Sequence, residues 1–326
     1  MIIEKNFLYM TSHTFDIIIP VYHPGESFSR LLAMLEIQTW KPGKIILMET
    51  LEEGESLTEY PGCEVHAVRK QDFDHAATRR EGVSFSGAEA FLMMTDDAVP
   101  WDELLCEKLI RGLFSEGSGE KGEHALCYGR QLPGEDSGEE EKFTRKFNYP
   151  EESSVKTVGD LPRLGIKTFF ASNVCCAYKR SAYDAVGGFT DHAIFNEDMI
   201  CARALLEAGY SIRYEAEAKV LHSHHYTAKD QFHRNFDLGM SQAMHPEVFG
   251  GITSEGEGVK LVLQSARHLA GTGNLWKIPH LILVSAAKYA GFRLGKGYRK
   301  LAPGKIRKYA MNKTFVDRFL TESGKE

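Results

Sequence analysis

Three clusters of polar residues stand where an otherwise apolar pattern ends. "FLMMTDDAVPW" (91–101) runs through a stretch of apolar and small residues and then sets Asp96 and Asp97 side by side. Hard divalent cations such as Mg²⁺ and Mn²⁺ take carboxylate oxygens and commonly share them with phosphates, so this pair could hold a metal against a phosphorylated ligand. It could equally cap a helix opening near Trp101, as could Asp102. Glu197 and Asp198 follow Asn196 at the start of a helical pattern. A carboxylate there could take a proton from an incoming hydroxyl as general base, or serve as a helix cap. In "VLHSHHY" (220–226), His222 and His224 alternate at period two at the end of a strand pattern. Both imidazoles then project from one face, where either could complete the coordination of a metal on Asp97. A hydrogen-bonded surface pair is the plainer use of the same two residues.

The elements that must position these groups follow from periodicity. "FDIIIP" (15–20) is a continuous apolar run that predicts a strand covered on both faces, and "ESFSRLLAMLEIQ" after it has helical spacing. Strands are expected at "KIILME", "CEVHAV" and "AFLMMT", with helices at "HAATRREGVSF" and from about Trp101 to Phe114. Strand alternating with helix predicts an open α/β sheet that binds ligands at the carboxyl ends of its strands. Asp96 and Asp97 lie at one such end, Glu49 at another and "VYHPGES" at a third. The Gly- and acid-rich "LPGEDSGEEEKF" (132–143) reads as a solvated loop. "TFFASNVCCAYKRSAYDAVGGF" predicts a strand entering a short helix, and "NEDMICARALLEAGY" a helix stopped by Gly209. "SIRYEAEAKVLHSHHY" reads as two short strands, followed by helices that include "KDQFHRNFDLGMSQAM" and "VKLVLQSARHLA" and by the apolar "IPHLILVSAAKYAGF".

With 326 residues, 43% hydrophobic and 26% charged, the chain can bury a large core. Its six cysteines include no CxxC pair, which suits a reducing cytosol and not a disulfide framework or a zinc site. The start of the sequence has no basic segment followed by an apolar one, and no run reaches the roughly 18 apolar residues of a membrane span. From Lys260 onward there are 14 Lys and Arg against three acids, so this tail carries +11 and the residues before it −17 of the net −6. The acidic body argues against nucleic acid; the basic tail suits phosphates, anionic lipid or the body itself.

In this order and spacing, "FDIIIPVYHP", "TDDAVP", "FFASNVCCAYKRSAYDAVGGF", "NEDMICARALLEAGY" and "VLHSHHYT" resemble the inverting family-two glycosyltransferases. The last three look most like the rhamnosyltransferase subgroup that builds bacterial surface polysaccharides, and the basic tail is also similar to that subgroup. The resemblance implies a GT-A-type α/β fold with a mixed, mainly parallel sheet over residues 1–245 and a helical, basic extension over 246–326. It implies metal-dependent transfer of a sugar, L-rhamnose from the nucleotide sugar dTDP-rhamnose, to a saccharide or lipid-linked saccharide acceptor. By the same resemblance Asp97 is the Mg²⁺ or Mn²⁺ ligand of a DxD-type motif, and Asp96 stands where many relatives have Gln. Asp198 matches the catalytic base, with Glu197 its neighbour. Pro20, Tyr22 and Glu49 match the nucleotide pocket, Glu49 standing where the family usually has Asp. Arg79, with His75 one turn before it, lies near the nucleotide, and His222 and His224 near the donor phosphates.

Two other functions keep part of this pattern. A sugar nucleotidyltransferase would carry a Gly-rich phosphate loop after the first strand, where "VYHPGESF" stands instead. A non-catalytic sugar-binding protein would keep the fold without the base. In the tail, Leu281, Val284 and Ala287 form a helical stripe followed by Lys288, Arg293, Lys296, Arg299 and Lys300. That predicts a helix lying on an anionic membrane at the cytoplasmic face, with the acidic body or a second copy of the chain as the alternative contact.

Overall fold

The structure is a computed structural model, and it describes residues 13–134, 137–223, 226–252 and 255–324. β1 (Phe15–Val21) leads through α1 (Glu26–Glu36) to β2 (Ile45–Leu51) and β3 (Glu64–Arg69). α2 (His75–Ser84), β4 (Ala90–Met94), the short β5 (Val99–Pro100), α3 (Leu105–Leu113) and β6 (His124–Leu132) follow. Next come α4 (Glu139–Asn148), β7 (Ser154–Lys156), β8 (Cys175–Lys179), α5 (Glu197–Glu207) and β9 (Ser211–Leu221). The chain ends in α6 (Ala228–Met244), α7 (Glu255–Gly271), α8 (Ile278–Lys296), α9 (Pro303–Tyr309) and α10 (Lys313–Glu322).

The strands form one sheet in the order β3-β2-β1-β4-β8-β6-β9-β5, with β7 on β9. β3, β2, β1 and β4 are parallel, as are β6 and β9, whereas β8 runs antiparallel between β4 and β6. Period-two alternation explains why β1 is apolar throughout. Ile17 and Ile19 face α1 and α3, meeting Leu31, Leu35, Leu105 and Leu109, while Ile18 faces the opposite layer with Ala76, Val83, Ala202 and Leu205. The chain steps outward from β1 to β2 and β3 and then crosses from β3 to β4 on the other side of β1, so the crevice past β1 and β4 is the topological switch point of the sheet.

The C-terminal helices close a third core. Phe236 and Met240 of α6, with Ile194 from the segment before α5, pack against Tyr298, Ile306, Phe315, Val316 and Leu320. α8 crosses α6 at backbone distance. A Cβ added at Gly291 would lie 2.2 Å from the Phe232 carbonyl oxygen, and one at Gly295 would lie 2.1 Å from that of Phe236. Only glycine permits that approach.

Four sequence expectations change. Within the acid-rich stretch read as a loop, residues 139–143 form the first half of α4, where Glu139, Glu140 and Glu141 sit at the helix N-terminus and complement its dipole, while Glu135 and Asp136 lie outside the described residues. The segment read as two strands is the single strand β9, its ladder with β6 shifted between Gly129 and Arg130. The helix expected from Trp101 begins at Leu105, and Asp102 accepts from the Leu104 amide at its start. In α8 the stripe assigned to a membrane is not the open face: Leu281 is buried, and Ile282, Leu283 and Tyr289 are exposed.

Candidate functional site

The site assembles at the switch point, where several strands end together. β1 and β2 are in register through Val21 and Glu49, so Tyr22 and the Glu49 carboxylate emerge at the same level. Pro20 lies past the last rung of the β1–β4 ladder, Ile18 with Met93. Its missing N–H therefore interrupts nothing between those two strands. Across the crevice the Tyr22 amide approaches Asp96 Oδ2 at 3.5 Å. The Tyr22 hydroxyl donates to Glu52 at 2.5 Å, and the Lys70 ammonium lies 3.3 Å from the ring centroid, so the ring is held from both sides. Glu49 is buried, and both its oxygens accept from Thr58, one from the amide at 2.8 Å and one from the hydroxyl at 2.7 Å.

Asp96 and Asp97 follow β4 directly. Burial, and after it the charge of Asp97, pushes the Asp96 carboxyl up to about 6. His222, one residue beyond β9, brings Nε2 to 3.4 Å from Asp97 Oδ1. Its other nitrogen, Nδ1, lies 3.0 Å from Gln131 Oε1, which also accepts from Arg145 Nη1. Arg145 Nη2 lies 3.3 Å from the same Nδ1; a metal on Nε2 would require the tautomer with its proton on Nδ1, shared with Gln131. Carboxylate oxygen suits Mg²⁺ or Mn²⁺, and an imidazole nitrogen beside it suits Mn²⁺ better than Mg²⁺; the adjacent half-buried carboxylates repel each other, which a cation would relieve. Among the described residues no group of three or more His, Cys, Asp or Glu stands close enough to hold a metal. His224 lies outside the described residues.

The second carboxylate pair opens α5. Asn196 adopts a left-handed conformation, φ 66°, that Asn tolerates better than most residues, and its side chain donates to Ser241 at 3.1 Å. This turn sends Glu197 and Asp198 into different surroundings. Glu197 is buried against Arg79, with Oε1 at 3.3 Å from Nη1, and accepts from Asn173 Nδ2 at 3.0 Å. Burial alone would raise Glu197, but the Arg79 guanidinium, and after it His75 and the Asn173 bond, outweigh it and hold the carboxyl below its ordinary value. Asp198 accepts from the amides of Asn173 at 3.2 Å and Met199 at 2.8 Å, yet burial and then the Glu197 charge push it up to about 7. Two neighbouring acids are thus driven apart, one fixed as an anion and one poised near neutrality.

α2 supplies the cation between the pairs. Arg79 bonds the His75 carbonyl at 3.0 Å, and its charge bears on both Asp96 and Asp198. Its Nε is buried without a hydrogen-bond partner. Burial lowers the His75 pKa, and the neighbouring Glu197 charge works against that shift. The cap of α2 is Asp74, fully buried, which accepts from the Ala76 and Ala77 amides and pairs with Arg318 of α10 at 2.9 Å. A cleft of about 380 Å³ opens next to His75, lined also by Lys70, Phe195, Arg234 and Asn312. The Arg234 guanidinium stacks 4.5 Å over the Phe195 ring.

Tyr22, His75, Arg79, Asp96, Asp97, Glu197, Asp198 and His222 therefore share one neighbourhood, and Glu49 lies beside it with its oxygens engaged by Thr58. Sequence reasoning missed Asn173, which holds both acids of the α5 pair, although it lies inside the quoted "FFASNVCC". Gln131 and Arg145, which orient His222, carry no sequence signal of their own.

No family model matches the chain. It is 34% identical over 317 residues to the O-antigen chain rhamnosyltransferase RfbN of Salmonella typhimurium, covering 95% of this chain and 98% of that protein. It is 32% identical over 320 residues to the O-antigen chain rhamnosyltransferase WbaN of Salmonella anatum, covering 96% and 99%. Among solved structures, the mannosyltransferase PcManGT from Pyrobaculum calidifontis, in complex with GDP-Man and Mn²⁺, superposes with a TM-score of 0.53. That match is 13% identical, covers 97% of this chain and 89% of the other, and supports the GT-A-type fold.

Proposed function

The chain belongs to the family of O-antigen chain rhamnosyltransferases, and from that premise we propose that it moves L-rhamnose from dTDP-rhamnose onto a saccharide or lipid-linked saccharide, with inversion. It is a glycosyltransferase of surface polysaccharide synthesis. The nucleotide lies across the ends of β1 and β2, against Pro20 and Tyr22 and near Glu49, and its diphosphate reaches the Asp96–Asp97 turn. Asp97 and His222, with His224, would hold Mg²⁺ or Mn²⁺. The bound cation would neutralise the charge that develops on the departing diphosphate. Arg79, paired to Glu197, adds a fixed positive charge beside the reacting centre. The acceptor enters along the cleft between His75 and Arg234. Asp198 takes the proton of the acceptor hydroxyl as that oxygen attacks the anomeric carbon and the bond from that carbon to the diphosphate oxygen breaks. The protein works in the cytoplasm, at the membrane face where a lipid-linked acceptor is presented.

The observation that carries the reading is the divergence of Glu197 and Asp198, because a general base works best when its pKa is close to the working pH. Asp198→Asn tests it. Donor affinity by calorimetry should persist while turnover falls by about 10² or more. Near-normal turnover at saturating donor and acceptor would remove Asp198 from the chemistry.

A further inference from the structure

α8 is apolar on two opposite sides, and only one is used inside the protein. Leu281, Gly291, Phe292 and Gly295 are buried, the two glycines against α6. On the other side Pro279, Ile282, Leu283, Ala286, Tyr289 and Ala290 are exposed at helical spacing, with no charged residue among them before Arg293. Ile282 is 60%, Leu283 59% and Tyr289 58% exposed, and just ahead of the helix Leu275 is 60% and Trp276 73% exposed. A helix on the surface of a water-soluble protein places polar side chains outward, so a two-sided apolar helix of this kind has a second apolar neighbour.

We infer that the outer face of α8, with Leu275 and Trp276 ahead of it, is a docking surface for an anionic lipid bilayer. Charge selects this occupant over a second copy of the chain. Basic residues flank this face in the chain, Lys277 ahead of it and Arg293, Lys296, Arg299 and Lys300 after it, so two copies meeting here would bring like charges together, whereas an anionic surface is complementary. The nearby acids Glu139 and Glu140 of α4 are turned toward His268 and His280. Side-chain chemistry agrees. Trp276 and Tyr289, rings with an apolar body and a polar edge, stand on the open side, and Lys277 lies 5.2 Å from the Trp276 ring. At 19 residues α8 is about 28 Å long, but no helix among the described residues is long and apolar enough to cross a membrane. It lies on the surface.

The inference draws on the proposed function only in that a lipid-linked acceptor gives such contact a purpose. Sedimentation with vesicles of equal parts phosphatidylglycerol and phosphatidylcholine, at low salt, tests it on the full chain. The wild type should pellet with these vesicles and stay in the supernatant with phosphatidylcholine alone. Combined Trp276→Ser, Ile282→Ser and Leu283→Ser, all at exposed positions, should weaken the partition by about tenfold or more. Combined Arg299→Gln, Lys300→Gln and Lys305→Gln should weaken it and reduce its salt dependence. Wild type that does not pellet with the anionic vesicles, or a serine variant that pellets as well as wild type, overturns the inference. So does a dimer in light scattering that the serine variant loses while vesicle binding is absent, which would assign the face to a second copy. Transfer to a water-soluble saccharide, measured on the same preparations, should be unchanged in the serine variant. Its absence in a wild type that pellets would count against the proposed function alone.

Discussion

Glu197→Gln should move the acid limb of the pH–rate profile to lower pH. In the folded protein Asp198 is raised first by burial and next by the neighbouring Glu197 charge. Two unit charges ~6 Å apart at an effective dielectric of ~20 repel by about 3 kcal/mol, or about 2 pKa units. Burial is untouched by the substitution, so Asp198 should fall from about 7 by about one to two units and remain above an ordinary aspartate. Arg79 adds to the shift, because its guanidinium, 3.3 Å from Glu197 in the native protein, is left with Asp198 as a nearby anion. The group works deprotonated, so a lower pKa extends activity toward acid. The assay is kcat/KM from roughly pH 5 to 9, beside thermal melting, since breaking a buried pair costs about 3–5 kcal/mol of stability. Arg79→Gln removes a charge that lowers Asp198 and should move the limb the other way. Two folded variants whose limbs stay with the wild type, or move together, would refute the assignment of the titration to Asp198.

Asp97→Asn should abolish the Mn²⁺-dependent part of dTDP binding in calorimetry, because an amide lacks the charge a hard cation needs; binding that keeps its metal dependence would exclude Asp97 as the ligand. Gly295→Ala should lower the melting temperature by several degrees, since the new Cβ meets the Phe236 carbonyl oxygen at 2.1 Å and the Met240 amide nitrogen at 2.8 Å. An unchanged melting temperature would mean that α6 and α8 part easily.

What the sequence made legible was local. The apolar run of β4 ending in Asp96 and Asp97, and the helical spacing after Asn196, can be read from neighbouring residues, because strand and helix periods fix where a side chain emerges. Arg79 and Asp198 were both identifiable as candidates, but that Arg79 is the ion-pair partner of Glu197 depends on how α2 and α5 pack on one face of the sheet. α4 is legible in its charges, three glutamates in the first turn with Arg145 and Lys146 in the last being a dipole-matched pattern, although the glycines and acids before it have the composition of a loop. The open face of α8 was not readable, because a helix apolar on both sides does not say which side meets α6. Nor was Arg318, paired with a carboxylate 244 residues earlier in the chain.

That last pair bears on the order in which the protein becomes competent. Asp74 is fully buried, it holds the first turn of α2 from which His75 and Arg79 project, and its cationic partner sits on the final helix. A ribosome delivers the α/β body before Arg318. Until then Asp74 is a carboxylate without its guanidinium, and the turn that aims Arg79 lacks its outer brace. On the proposed reading, donor binding depends on the docking of α10: a protein lacking that helix would carry Arg79 and Asp198 and present Arg79 on an unfastened turn.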